Sequence, residues 1–240
     1  MTEETIPRRK FLVGAGLAGT AVATGMTETT PAEAQAPPAA PAASAPAPQA
    51  EPLLLLNETE HAFVVAAVDT MIPADELSPS GSDCGCATYI DRQLASAWGG
   101  GAKMYRAGPF LKGKPEQGYQ LPLTPAELIT SGIAAANAWS RKTYGGDYDR
   151  LEPGKRIEAL KAMQEGKADF GGLSSRLFFA RLYALTMEGF FSDPIYGGNR
   201  NMASWRMLGY PGLPATFAHL IDEHRDKRYV AEPQSIADFS

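Results

Sequence analysis

The sequence predicts an all-α domain with long ordered loops. Three observations carry this. Apolar residues recur at helical spacing behind clear capping signals, no stretch alternates apolar and polar residues as a half-buried strand would, and no segment repeats. Stretches rich in Gly and Pro, without period, separate the helical segments and read as loops. About five main helices are expected, in one domain covering residues 53–240.

Two segments precede that domain. Residues 1–34 read as an export signal: Arg8, Arg9 and Lys10 are basic, Phe11 and Leu12 open a short run rich in Gly and Ala, and Ala32-Glu33-Ala34 offers a small-residue cleavage site. Paired arginines followed by Phe11 and Leu12 match a twin-arginine signal, with Pro7 where Ser or Thr is usual. The run is too short and too weakly apolar to read as a membrane span. Gly14, Gly16 and Gly19 match the dinucleotide-binding G-x-G-x-x-G pattern, but that motif works only between a strand and a helix. Here Arg8-Arg9-Lys10 and an Ala/Pro tract flank it, so the glycines belong to the signal. Residues 35–52 are largely Ala and Pro; they bury too little apolar surface to offset ordering and are expected to form a disordered tether.

The helices follow in order. Asn57 to Glu60 forms a capping box, and Phe63, Val64, Ala67, Val68 and Met71 follow at helical spacing until Pro73. A second helix is expected from Cys86 to Trp98, ended by three glycines, and residues 101–122 read as ordered loop. Thr124-Pro125-Ala126-Glu127 is the clearest helix start, running to Tyr144 before Gly145-Gly146. A fourth helix starts near Pro153 with Ile157, Leu160 and Met163. The fifth, from Leu173 to Phe191, is apolar nearly all round, so either it is the central core helix or another chain covers it. Short helical pieces are expected at Ala203–Leu208 and Leu213–Asp222.

Composition excludes several functions. There are 27 acidic against 22 basic residues, a net charge of −5, so the basic footprint of a nucleic-acid binder is missing. Three histidines leave little material for a metal centre. No C-x-x-C-H, P-loop, G-x-S-x-G or H-E-x-x-H pattern occurs. Cys84 and Cys86 admit two readings: a redox pair or link to a partner chain, or two buried thiols or an inert local disulfide near a helix start. The segment from Glu188 to Gly212 combines Phe190, Phe191, Asp193, Pro194, Tyr196, Gly197, Gly198, Asn199, Arg200 and Trp205. Aromatics and Arg are enriched where partners are bound, so this segment is either an interface or a loop packed on its own core.

That segment, E-G-F-F-S-D-P-I-Y-G-G-N-R-N-M-A-S-W-R-M-L-G-Y-P-G, resembles the hallmark of the gluconate 2-dehydrogenase subunit 3 family. The resemblance extends to Met71–Glu76, Tyr89–Leu94 and Tyr105–Phe110. It implies a non-catalytic small subunit, without a cofactor of its own, in a complex that oxidises a sugar, polyol or sugar acid such as gluconate. The implied partners are a large flavoprotein carrying FAD, of the glucose-methanol-choline type, and a multihaem cytochrome c carrying haem c. It further implies export by the twin-arginine translocase, a periplasmic location at the inner membrane, and a role in maturing the flavoprotein. The competing expectations are a stand-alone thiol-redox protein using Cys84 and Cys86, and a binding protein held at the membrane by an uncleaved signal.

Overall fold

The computed structural model describes residues 51–214 and 216–239. The signal residues Arg8, Arg9, Phe11 and Leu12, the glycine run, and the tether up to residue 50 lie outside the described residues. The described residues are all-α, with one minimal hairpin.

Helix α1 spans Glu58–Met71. The Asn57 carboxamide accepts from Glu60 N at 2.9 Å, and the Glu60 carboxylate accepts from Asn57 N at 3.0 Å, so two orphan amides are satisfied reciprocally. Helix α2, Cys86–Ala95, stops short of Trp98. Ser96 turns extended, its hydroxyl donates to Gln93 O at 2.6 Å, and Trp98 N donates to Ser96 Oγ at 3.2 Å. Trp98 therefore sits exposed in the turn after the helix rather than on it. Helix α3, Pro125–Tyr144, carries the expected Thr124–Glu127 capping box and ends at left-handed Gly145. Helix α4, Pro153–Glu165, sends Leu160 and Met163 into the core but leaves Ile157 exposed.

The fifth helix starts later than its apolar run suggests. Asp169–Phe170 (β1) and Leu173–Ser174 (β2) pair as a two-stranded antiparallel hairpin. The Ser174 hydroxyl then caps Leu177 N at 3.3 Å, and α5 runs Ser175–Phe191. Helix α6 is Ala203–Leu208, as expected. The piece expected at Leu213–Asp222 shrinks to one turn, Ala218–Leu220. Leu213, the first residue of that stretch, pairs with the tail instead, its N–H donating to Gln234 O at 2.9 Å.

Helix α5 packs against α2, α3 and α4, and α1 packs against the same three. Phe178, Leu182, Leu185 and Phe190 line the buried face of α5, whereas Tyr183 and Phe191 are exposed on it. At the centre, the Phe63 ring lies 4.8 Å from Tyr148 and 6.0 Å from Phe178. Such pairs add about 0.5–1.5 kcal/mol each beyond area burial. Tyr148 is fully buried, yet both its polar groups are satisfied: its N–H donates to Asn137 Oδ1 at 3.1 Å and its hydroxyl to Thr70 Oγ1 at 3.3 Å. Burial pushes its phenol up to about 12.

The domain entrance is fastened. Asp91, on α2 and buried, accepts from the backbone N–H groups of Leu54, Leu55 and Leu56 at 2.6, 3.0 and 2.8 Å. Glu51, which the sequence assigns to the tether, is bound to Arg92 at 2.6 Å and Arg200 at 3.4 Å. No helix among the described residues is long and apolar enough to cross a membrane.

Candidate partner-binding face

The face is built on the exit of α5. The Asp193 carboxylate caps the turn Pro194–Tyr196, accepting from Ile195 N at 3.0 Å through Oδ1. Its second oxygen accepts from Ile236 N at 2.9 Å, which ties down the C-terminal tail. The chain then passes so close to α5 that a Cβ on Gly198 would stand 2.1 Å from Gly189 O; only glycine fits.

Asn199 organises the next turn from within. It is fully buried; its Nδ2 donates to Ser192 O at 2.9 Å, and its Oδ1 accepts from Ser204 N at 2.9 Å and Ser204 Oγ at 2.8 Å. This ties the end of α5 to the start of α6. Between them Asn201 and Met202 take positive φ, 56° and 54°. For Met that conformation costs on the order of 1 kcal/mol, which the surrounding bonds must offset. Arg200 lies across α2, donating to Thr88 Oγ1 at 3.1 Å, while its backbone N donates to Cys84 O at 3.0 Å. Trp205 donates from Nε1 to Phe191 O at 3.0 Å and meets Tyr210 edge-on at 5.2 Å between centroids.

The residues singled out from sequence thus divide in two. Phe190, Gly197, Gly198, Asn199 and Trp205 are buried and hold the loop together. Phe191 and Tyr196 are exposed, and Asp193, Pro194 and Arg200 are half-buried. Trp205 is 7% exposed while Tyr196 is 51% exposed, so of the two aromatic side chains only Tyr196 is turned to solvent.

Sequence reasoning also passed over part of the face. Ile195 and Tyr210 are exposed within the segment, and Ile236 and Phe239 come from the aperiodic tail. The turn Ile236–Phe239 packs on Pro194–Tyr196, and Gln234 bridges to Gly212. The one local signal was two large apolar residues three apart in a polar tail.

Cys84 and Cys86 are free and buried. Burial, with Cys84 beside it, pushes the Cys86 thiol up to about 12; burial raises Cys84 as well. The thiolate is the nucleophile, so both are held in the unreactive form at neutral pH. Among the described residues no three His, Cys, Asp or Glu groups gather to hold a metal.

The fold and this face define an all-α domain that carries a loop buttressed by its own buried hydrogen bonds, with apolar side chains exposed on it. The sequence profile of the gluconate 2-dehydrogenase subunit 3 family matches residues 58–212, and the chain belongs to that family. Neither the curated proteins nor the solved structures contain a match to it. The family's name makes its members one subunit of a gluconate dehydrogenase. The strap at 51–57 and the tail beyond 212 fall outside the matched span, yet both fold back onto the hallmark loop.

Proposed function

We propose that this chain is the non-catalytic small subunit of a periplasmic dehydrogenase and that the face around Tyr196 seats its flavoprotein partner. The observation carrying this is an exposed apolar set, Phe191, Ile195, Tyr196, Tyr210, Ile236 and Phe239, held on a loop whose buried polar groups fix its backbone. Pre-ordered aromatic contacts lose little entropy on binding, which is how a few residues supply most of an interface's affinity. In this reading FAD belongs to the large subunit and haem c to a cytochrome that passes electrons on. The substrate is a sugar, polyol or sugar acid such as gluconate. Arg8, Arg9, Phe11 and Leu12 address the pair to the twin-arginine translocase, which carries folded cargo, so one signal exports both chains. The complex then works at the periplasmic side of the inner membrane. The sealed thiols of Cys84 and Cys86 lend no support to a stand-alone redox protein.

The test is co-purification of the tagged full chain from periplasmic and membrane fractions, with an absorption spectrum. A flavin-bearing large subunit at equal stoichiometry is expected. A lone, colourless chain, or periplasmic dehydrogenase activity unchanged after Arg8 and Arg9 are replaced by Lys, would overturn the reading.

A further inference from the structure

The turn Cys84-Gly85-Cys86 is the seat of the hallmark loop. Arg200 N donates to Cys84 O at 3.0 Å. Gly85 takes φ 81°, and a Cβ there would lie 2.3 Å from Gly197 O and 3.1 Å from the Arg200 side chain. The loop therefore rests directly on the peptide that separates the two thiols. Every N–H of that turn is committed as well: Cys84 to Ser80 O at 2.9 Å, Gly85 to Ser82 O at 2.9 Å and Cys86 to Gly81 O at 3.0 Å. Tyr89 N donates to Gly85 O at 3.0 Å, tying the turn into α2. Both thiols are closed off from solvent, and the Cys84 thiol points to Pro79 O at 3.6 Å.

A disulfide across a single intervening residue makes a tight ring that must bring two sulfurs to about 2.05 Å with a near-perpendicular dihedral. Such a ring closes through both peptides of Gly85, whose φ is 81° with the loop seated. Those peptides carry the Arg200 contact on one side and the first turn of α2 on the other. The ring and the seated loop therefore act on the same two peptides.

We propose that Cys84 and Cys86 form a latent disulfide site gated by the hallmark loop: the seated loop keeps the pair as thiols, and oxidation before the loop seats locks it out. The oxidant is a small or protein-borne disulfide. One cysteine thiolate attacks it and forms a mixed disulfide, expelling a thiolate that takes up the released proton. The second cysteine attacks the mixed disulfide and expels the other half as a thiol. Two protein thiols become one disulfide, and the oxidant is reduced to two thiols. The functional meaning is an order of events: the domain must fold before it meets oxidising conditions. This goes beyond the escort reading and does not depend on it, since every readout below is on the chain itself.

The experiment exposes the reduced full chain to oxidised glutathione, folded and in urea, and follows it by intact mass and iodoacetamide labelling. The folded chain should stay reduced and unlabelled. The unfolded chain should lose two hydrogens without keeping a glutathione adduct. After urea removal the oxidised chain should be cut by trypsin after Arg200, where the native chain resists, until dithiothreitol restores protection. Arg200→Ala should oxidise at least about tenfold faster than the parent while still folded, because local opening limits access to sealed thiols. Thr88→Ala, which removes one Arg200 contact, serves if that variant does not fold, with the same direction expected. The proposal fails if the folded parent oxidises as fast as the unfolded chain. It fails equally if the oxidised chain refolds to full tryptic protection, if glutathione adducts replace the internal disulfide, or if the loosened variant oxidises no faster than the parent.

Discussion

Asp193 and Ile236, 43 positions apart, are joined by a 2.9 Å hydrogen bond from the Ile236 amide to a carboxylate that also caps the turn after α5. One side chain thus sets the loop and brings the tail to it. Asp193→Ala removes both roles. The expected result is release of residues 234–239 to limited proteolysis, with a stability loss of about 1–2 kcal/mol on thermal unfolding.

Outward and inward aromatics should separate cleanly. Tyr196→Ala and Phe239→Ala leave the melting temperature of the lone chain nearly unchanged, since both side chains are exposed. Each weakens partner capture by about 2 kcal/mol, roughly thirtyfold, in a titrated binding assay. Trp205→Ala does the reverse: it lowers stability by about 3–5 kcal/mol on denaturant unfolding and affects binding only through the fold.

Gly198→Ala forces a methyl group against the Gly189 carbonyl, a backbone atom that cannot swing aside, and against the Ser192 hydroxyl. A loss of about 1–3 kcal/mol is expected on chemical denaturation. A shorter proteolytic lifetime at residues 197–202 should accompany it.

Alkaline pH should unfold the domain through its buried acids. The Cys86 thiol rises from an ordinary 9.0 to about 12 and the Tyr148 phenol from 10.0 to about 12, both chiefly by burial. A raised folded pKa means the folded state holds its proton more tightly. That contribution is complete below the unfolded value and is lost as pH climbs through the folded one. Stability measured by urea titration should therefore fall steadily between pH 9 and 12. Cys86→Ala should flatten the lower part of that decline.

The helices were legible because their signals are local. Asn57 with Glu60, and Thr124 with Glu127, announce starts three residues apart, and the structure forms both boxes. Apolar spacing carries α2 on to Trp98, whereas the helix ends at Ala95 because Ser96 competes for the Gln93 carbonyl, a choice that spacing does not register. The start of α5 was hidden by the hairpin, whose Leu173 continues the helical apolar run. In the candidate site, the unusual composition of the hallmark segment was visible, but which half points inward was not. Asn199 reads as a turn residue, yet it is the buried hub, because its partners Ser192 and Ser204 become neighbours only once α5 and α6 are placed. The long pairings, Asp91 to Leu54–Leu56 and Arg200 to Glu51, join positions far apart in the chain and leave no periodic trace.

The clamp on the entrance strap has a mechanical consequence. A pull applied through the chain ahead of Glu51 meets Arg92 and Arg200 first, then the three amides gripped by Asp91. The tension is passed to α2, which packs against α1, α3 and α5, and to the buried Leu56 side chain. Traction from the front end would tow the helical body as one piece instead of unravelling it from its first residue.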